Sequence, residues 1–173
     1  MASNESHNKN YYINGVSGEH QLTVAGANGC TYIFEESNPT WTGGLIGKLN
    51  SNTRVSVQGT AVGCFGTGNV EIQASTELVI QNNNAGAGDT IDDAATLTLS
   101  GPGRDQTPTV KLIMNGSETV DQIWVDGIQY PAGTYSRVGG GATYPQSFIT
   151  GNAILTVATG PTETVLPTVV SIE

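Results

Sequence analysis

Few residues of this chain are of the types that do chemistry, and their spacing does not favour it. His7 and His20 are the only imidazoles, and both precede the part of the chain where short strands recur. A Ser-His-Asp arrangement would have to draw its base from a polar N-terminal segment. Cleavage of a glycosidic bond needs two carboxyl groups about 5 to 9 Å apart, and the neighbouring pairs Glu35–Glu36 and Asp92–Asp93 would point to opposite faces of a strand. A pairing across stacked strands, such as Glu71 with Glu77, stays open. The segment Asp89-Thr90-Ile91-Asp92-Asp93 offers the hard oxygen ligands that calcium takes, without the ligand rhythm of a calcium loop. The run from Gly43 to Lys48 has a superficial look of a phosphate loop. Its first glycine is misplaced, and Leu49 stands where Ser or Thr would hold magnesium. Gly66-Thr67-Gly68-Asn69 leads into a strand, whereas a dinucleotide site requires a helix there. These patterns predict no catalytic residues, no metal site and no cofactor.

Binding needs less machinery than catalysis. Sugars are recognised by aromatic platforms flanked by Asn, Gln and Asp, because a sugar face is apolar while its hydroxyls require hydrogen bonds. Trp41, Trp124, Tyr130 and Tyr144 are the candidates, with Trp41 in the turn-rich phrase Asn38-Pro39-Thr40-Trp41-Thr42-Gly43-Gly44. Aromatics make up 6% of the chain, which limits any such surface to a single ring-lined groove. Cys30 and Cys64, the only cysteines, lack metal-ligand spacing. In a secreted protein they form a disulfide contributing about 3 kcal/mol; two buried free thiols are the other reading. Asn4 and Asn115 begin Asn-X-Ser triplets that a glycosylating cell would read.

The elements that must position these residues are strands. Charged residues are 12% of the chain, and 23 of its 173 residues are glycine, about twice the usual share. Val-Ser-Val at 55–57, Val-Glu-Ile at 70–72, Leu-Val-Ile at 78–80 and Leu-Thr-Leu at 97–99 are brief, and in most of them apolar residues stand two apart before Gly, Asn or Gln intervenes. Repetition of one strand-and-turn unit predicts an all-β fold, a short parallel β-helix whose coils bury their apolar faces only by stacking. A β-sandwich is the competing architecture. Within one compact domain, residues 1–37 read as an N-terminal cap, 38–104 as the repeat body and 105–173 as a closing segment with a terminal arm. Gly43–Gly44, Gly63 to Gly68 and Gly86 to Gly88 mark corners. Asn82 to Asn84 suit a hydrogen-bonded ladder with the next coil.

Charge and hydropathy narrow the partners. A net charge of −9 repels nucleic acid, whose phosphates need clustered Lys and Arg. No stretch reaches the roughly 18 apolar residues of a membrane span, and the polar start Met-Ala-Ser-Asn-Glu-Ser has no apolar core of a secretory signal. Beyond the repeat, Val165, Leu166, Val169, Val170 and Ile172 form an apolar strand interrupted by Pro167. Such a strand is a template for pairing with a second molecule, and head-to-tail contacts of this kind generate filaments rather than closed dimers.

The phrases Asn-Pro-Thr-Trp-Thr-Gly-Gly at 38–44, Phe-Gly-Thr-Gly-Asn-Val-Glu-Ile-Gln-Ala-Ser-Thr-Glu-Leu-Val-Ile at 65–80 and Asp-Thr-Ile-Asp-Asp-Ala-Ala-Thr-Leu-Thr-Leu at 89–99 resemble the autotransporter-associated β-strand repeat of bacterial secreted and surface proteins. Residues 110–157, with Asp-Gly at 126–127, Ala-Gly-Thr-Tyr at 132–135 and Ala-Ile-Leu-Thr-Val at 153–157, are similar to the closing segment that follows such repeats. The resemblance spans roughly residues 38–157 and about two repeat units. It implies an extracellular or cell-surface location, the signal having been removed, and a structural or adhesive role in place of an enzymatic one. The expected partners are further copies of the chain or a polysaccharide.

Overall fold

Strands this short cannot hold an apolar face by themselves, so the fold is decided by what each is stacked on. The computed structural model describes residues 9–26, 29–49, 55–74, 76–81, 89–102 and 110–162. Among them there are sixteen strands of two to five residues and no helix. One six-stranded sheet is ordered β1 (Asn10–Ile13), β3 (Cys30–Phe34), β5 (Val55–Gly59), β7 (Thr76–Ile80), β9 (Lys111–Met114) and β15 (Ile149–Gly151). A second is ordered β2 (Leu22–Gly26), β4 (Leu45–Leu49), β6 (Val70–Ile72), β8 (Thr96–Leu99), β11 (Gln122–Val125) and β12 (Ile128–Gln129). From β1 to β9 the chain alternates between the two sheets and advances one strand position in each at every pass. All pairs are parallel except the last, β11 with β12.

In-register stacking turns the alternating sequence into columns. On the inner face of the first sheet Tyr32, Val57, Leu78, Leu112 and Ile149 lie side by side, as do Phe34, Gly59, Ile80, Met114 and Gly151. The second sheet supplies Leu22, Leu45, Val70, Leu97 and Ile123, with Val24, Gly47, Ile72, Leu99 and Val125 beside them. Neighbours in a column are about 4.8 Å apart, so each layer's apolar residues are sealed by those above and below, and nearly all of these side chains are buried. Gly59 interrupts one column for a reason. A Cβ there would meet the Thr90 methyl at 2.2 Å, the Phe65 ring at 2.8 Å and Cys64 Sγ at 2.9 Å.

The corners stack as the strands do. Gly18 bridges Trp41, and the Thr67 N–H donates to the Trp41 carbonyl at 2.8 Å. Gly66 lies in the same contact, at φ 70°, where a Cβ would come within 2.2 Å of the Trp41 carbonyl oxygen. Glycine is required there both for its backbone angle and for the close approach.

A third sheet, ordered β10 (Glu118–Val120), β16 (Leu155–Val157), β13 (Gly133–Arg137) and β14 (Tyr144–Gln146), lies beyond the repeating strands. β11 and β12 turn through Asp126 and Gly127, at φ 50° and 80°, the two positive angles a two-residue hairpin demands. Antiparallel pairing, which a β-sandwich would need throughout, is confined among the described residues to β11–β12 and β13–β16. Residues 10–34 enter the same two sheets as residues 38–104, so the sheets carry no break at position 38.

Two expectations need correction. Cys30 and Cys64 are free, buried thiols. Cys30 opens β3, whereas Cys64 Sγ lies against Gly59, which pairs with Phe34 at the far end of that strand. Four strand residues span about 13 Å, and a disulfide needs Cα atoms within about 7 Å. Trp41 is 0% exposed and is no sugar platform. Its ring is parallel to Phe34 with centroids 6.2 Å apart, and its indole N–H donates to the His20 carbonyl at 3.1 Å.

Candidate functional site

The remaining aromatic candidates fall into two places. Trp124 is half-buried on the outer face of the second sheet, in register with Thr98, Glu71, Ile46 and Thr23, and its indole N–H donates to Gln122 at 3.1 Å. Gln129 stands directly opposite it across the hairpin. Tyr130 follows on the other face and packs edge-on against Phe148, with centroids 6.0 Å apart. Tyr144 leans on Tyr135, centroids 5.1 Å apart. Tyr135 is fully buried and donates to the Pro131 carbonyl at 2.5 Å; burial, then Tyr144 and Tyr130, pushes its hydroxyl up to about 12. Tyr130 and Tyr144 are therefore the margin of an aromatic core, and Trp124 is set apart from both.

Glu71 and Glu77, the pairing left open above, are not brought together. Glu71 is on β6 and Glu77 on β7, in different sheets, so the two do not stack. Asp92 Oδ1 accepts from the Ala94 N–H at 2.9 Å, a local turn contact. Among the described residues no group of three or more His, Cys, Asp or Glu is arranged to hold a metal. The arm residues Val165, Leu166, Val169, Val170 and Ile172 lie outside the described residues, as do Asn4 and the Asn82 to Asn84 run.

Two buried polar groups were not singled out by residue type. Asn38 is 2% exposed, and its side chain joins three successive layers. Its Oδ1 accepts from the Val16 N–H at 2.8 Å, and its Nδ2 donates to the Cys64 carbonyl at 2.8 Å and the Glu36 carbonyl at 3.0 Å. Glu118, also 2% exposed, heads β10 and accepts four backbone N–H groups. These come from Asp89 at 3.1 Å, Thr90 at 2.9 Å, Ile91 at 3.3 Å and Thr119 at 3.2 Å. Burial raises its pKa and a nearby Asp89 adds to this. The N–H groups of Ile91, Thr90 and Thr119 pull the other way, and the balance is pushed up to about 7. With its oxygens occupied by backbone donors, this carboxyl is an anchor rather than an open acid–base group. Its sequence signal was the strand Glu-Thr-Val, in which Glu118 shares a face with buried Val120.

Among the described residues six large apolar side chains are exposed, three on outermost strands and three, Val62, Val138 and Ile154, in turns and links elsewhere. Tyr11 and Tyr12 on β1 are 44% and 60% exposed, and Ile128 on β12 is 66% exposed. Tyr11 stacks on Tyr32 with centroids 5.3 Å apart, continuing an inner column outward. β1 is the edge of the first sheet and β2 that of the second. No helix among the described residues is long and apolar enough to cross a membrane. No family model, no curated protein and no solved structure matches this chain.

Proposed function

We propose that this chain is a non-catalytic β-solenoid module of the extracellular or cell-surface kind, related to the autotransporter-associated β-strand repeat, with a structural or adhesive role. The observation that carries the reading is the strict alternation of β1 to β9 between two parallel sheets, one strand position per pass. An architecture of this sort is extended by adding layers, and its open edge is an invitation to pairing. Self-association through the ends follows as the mechanism: β1 carries Tyr11 and Tyr12 at one end, β12 carries Ile128 at the other, and the apolar run 165–172, outside the described residues, is the sequence's own candidate for pairing.

Negative-stain electron microscopy of the concentrated full chain, alongside sedimentation, tests this. Regular filaments lost in the Tyr11→Ser, Tyr12→Ser double variant or on deletion of residues 163–173 are the expected result. Dispersed particles at every concentration overturn self-association. A second reading, carbohydrate binding, is favoured by the half-exposed Trp124 flanked by Gln122 and Gln129. Retention on an insoluble polysaccharide that Trp124→Ala abolishes would establish it.

A further inference from the structure

The two edges of the first coil are sealed to different degrees. On β2 the inward-facing Leu22 is half-buried and Val24 is 4% exposed; on β1 the inward-facing Ile13 is half-buried and Tyr11 is 44% exposed. Tyr11 and Ile13 begin the two inner columns that Tyr32 and Phe34 continue. Every pair in this sheet is parallel. A further strand on β1 would therefore set one apolar residue over Tyr11 and another, two positions on, over Ile13. Its backbone would take the N–H and carbonyl groups that an edge strand offers on its free side.

We propose that residues 168–172 of one copy form this strand on β1 of a second copy, parallel to it, with Val170 over Tyr11 and Ile172 over Ile13. The proposal rests on the reading of the chain as a self-associating module and names the edge, the direction and the register of the contact. Thr-Val-Val-Ser-Ile at 168–172 has the required alternation: Thr168, Val170 and Ile172 share one face, and Val169 and Ser171 the other. Pro167 precedes the segment, so no N–H of the ladder is lost. These residues lie outside the described ones, and the chain before them limits their reach. Thr159 N–H donates to the Asp121 carbonyl at 2.7 Å, and Gly160 lies against the backbone of Ala132, three residues past β12. β12 is the far edge of a six-stranded sheet, so the free side of the first coil is about 29 Å away at about 4.8 Å per strand. Nine residues from Gly160 to Val169 extend to about 30 Å at most, which leaves no length for passing around the coils. The β1 edge of a second copy stacked on the C-terminal end is the nearer acceptor. Contacts between unlike ends propagate rather than close, and pairing of this kind is strand addition at a sheet edge.

The test adds synthetic peptides of residues 163–173 to the unaltered full chain and follows assembly size by sedimentation. The parent peptide should occupy β1 and reduce assemblies to single particles. The Val169→Asp peptide, altered on the outward face, should act at about the same concentration, whereas Val170→Asp or Ile172→Asp should need more than about ten times as much, because each places a charge in an inner column. Equal loss of potency for Val169→Asp and Val170→Asp overturns the register and leaves only nonspecific apolar contact. Assemblies that form but ignore the parent peptide overturn this contact while self-association stands. A chain that stays dispersed without peptide at every concentration overturns both. In full chains, Tyr11→Asp removes the acceptor and Val170→Asp the donor: each alone should remain single, and their mixture should form pairs that grow no further. Either variant assembling by itself overturns the proposal, and the peptide series decides the matter even where a variant does not fold.

Discussion

Near the N-terminal end the carboxamide of Asn38 joins the layers of Val16, Glu36 and Cys64; at the third sheet the carboxyl of Glu118 joins β10 to the corner at 89–91. Both side chains are 2% exposed, and both supply buried backbone groups with partners that the stacked strands leave unmet. Asn38 does this with one acceptor and two donors and carries no charge. It is matched to a corner presenting one N–H and two carbonyls. Glu118 faces N–H groups only, for which a carboxylate is the better acceptor, but its charge must leave water. A neutral anchor holds equally at any pH, whereas a charged one makes the junction answer to protons.

Converting the first anchor into the second should have the largest effect. In Asn38→Asp the introduced carboxylate keeps the Val16 N–H but meets the Glu36 and Cys64 carbonyls with no hydrogen to give. We expect a loss of about 3 to 5 kcal/mol at pH 8, measured by urea denaturation. The folded-state pKa must then be raised, because the protonated form alone can donate. A raised value places the stability contribution below the unfolded value and removes it as pH rises, so acidification toward pH 5 restores part of the loss. Equal destabilisation at both pH values would mean that the corner opens and lets the carboxylate hydrate.

Trp41→Phe is the intermediate case. The residue lies beside Asn38, whose carbonyl accepts the Trp41 N–H at 3.0 Å, and its indole N–H ends on the His20 carbonyl. Phenylalanine keeps the stacking on Phe34 and removes the donor and some volume. A loss of about 1 to 3 kcal/mol, the same at pH 5 and pH 8, is expected from the thermal or urea midpoint. A pH-dependent loss would break the distinction between a neutral and a titrating corner.

The two regions also differ in how far the sequence announces them. Alternation in Val55–Gly59, Val70–Ile72 and Thr96–Leu99 is enough to name strands, and the glycines at 43–44 and 63–68 are enough to name corners, because both are local properties of the backbone. What stacks on a corner is not local. Asn38 finds its partners 22 residues before it and 26 after, distances that depend on the length of each pass. Trp41 shows the same limit: a turn-rich phrase reads as surface, yet corners stacked layer on layer enclose an interior of their own. Cys30 and Cys64 fail as a pair because Cys30 opens β3 while Cys64, in the turn after β5, lies beside the far end of that strand, which only the register reveals. Glu118 was the most readable of these residues, since a carboxylate two positions before Val120 on an alternating strand is already on the buried face.

The smallest expected effect bears most directly on how the two anchors differ. Every side-chain polar atom of Asn38 is bonded, but beside Glu118 the hydroxyl of Thr90 is buried without a partner among the described residues. Its own N–H is the one Glu118 binds at 2.9 Å, and its methyl fills the space left by Gly59. With the carboxyl ionised, an orphan hydroxyl is a cost, so Thr90→Val should raise stability at pH 8 by up to about 1 kcal/mol. Once the carboxyl is protonated it carries an O–H in need of an acceptor, and Thr90 Oγ1 is the buried side-chain oxygen without a bond among the described residues. The gain from Thr90→Val should then shrink or reverse at pH 5. An equal gain at both pH values, read from urea midpoints, would mean that the neutral carboxyl finds its acceptor elsewhere and that the hydroxyl belongs to neither state of the junction.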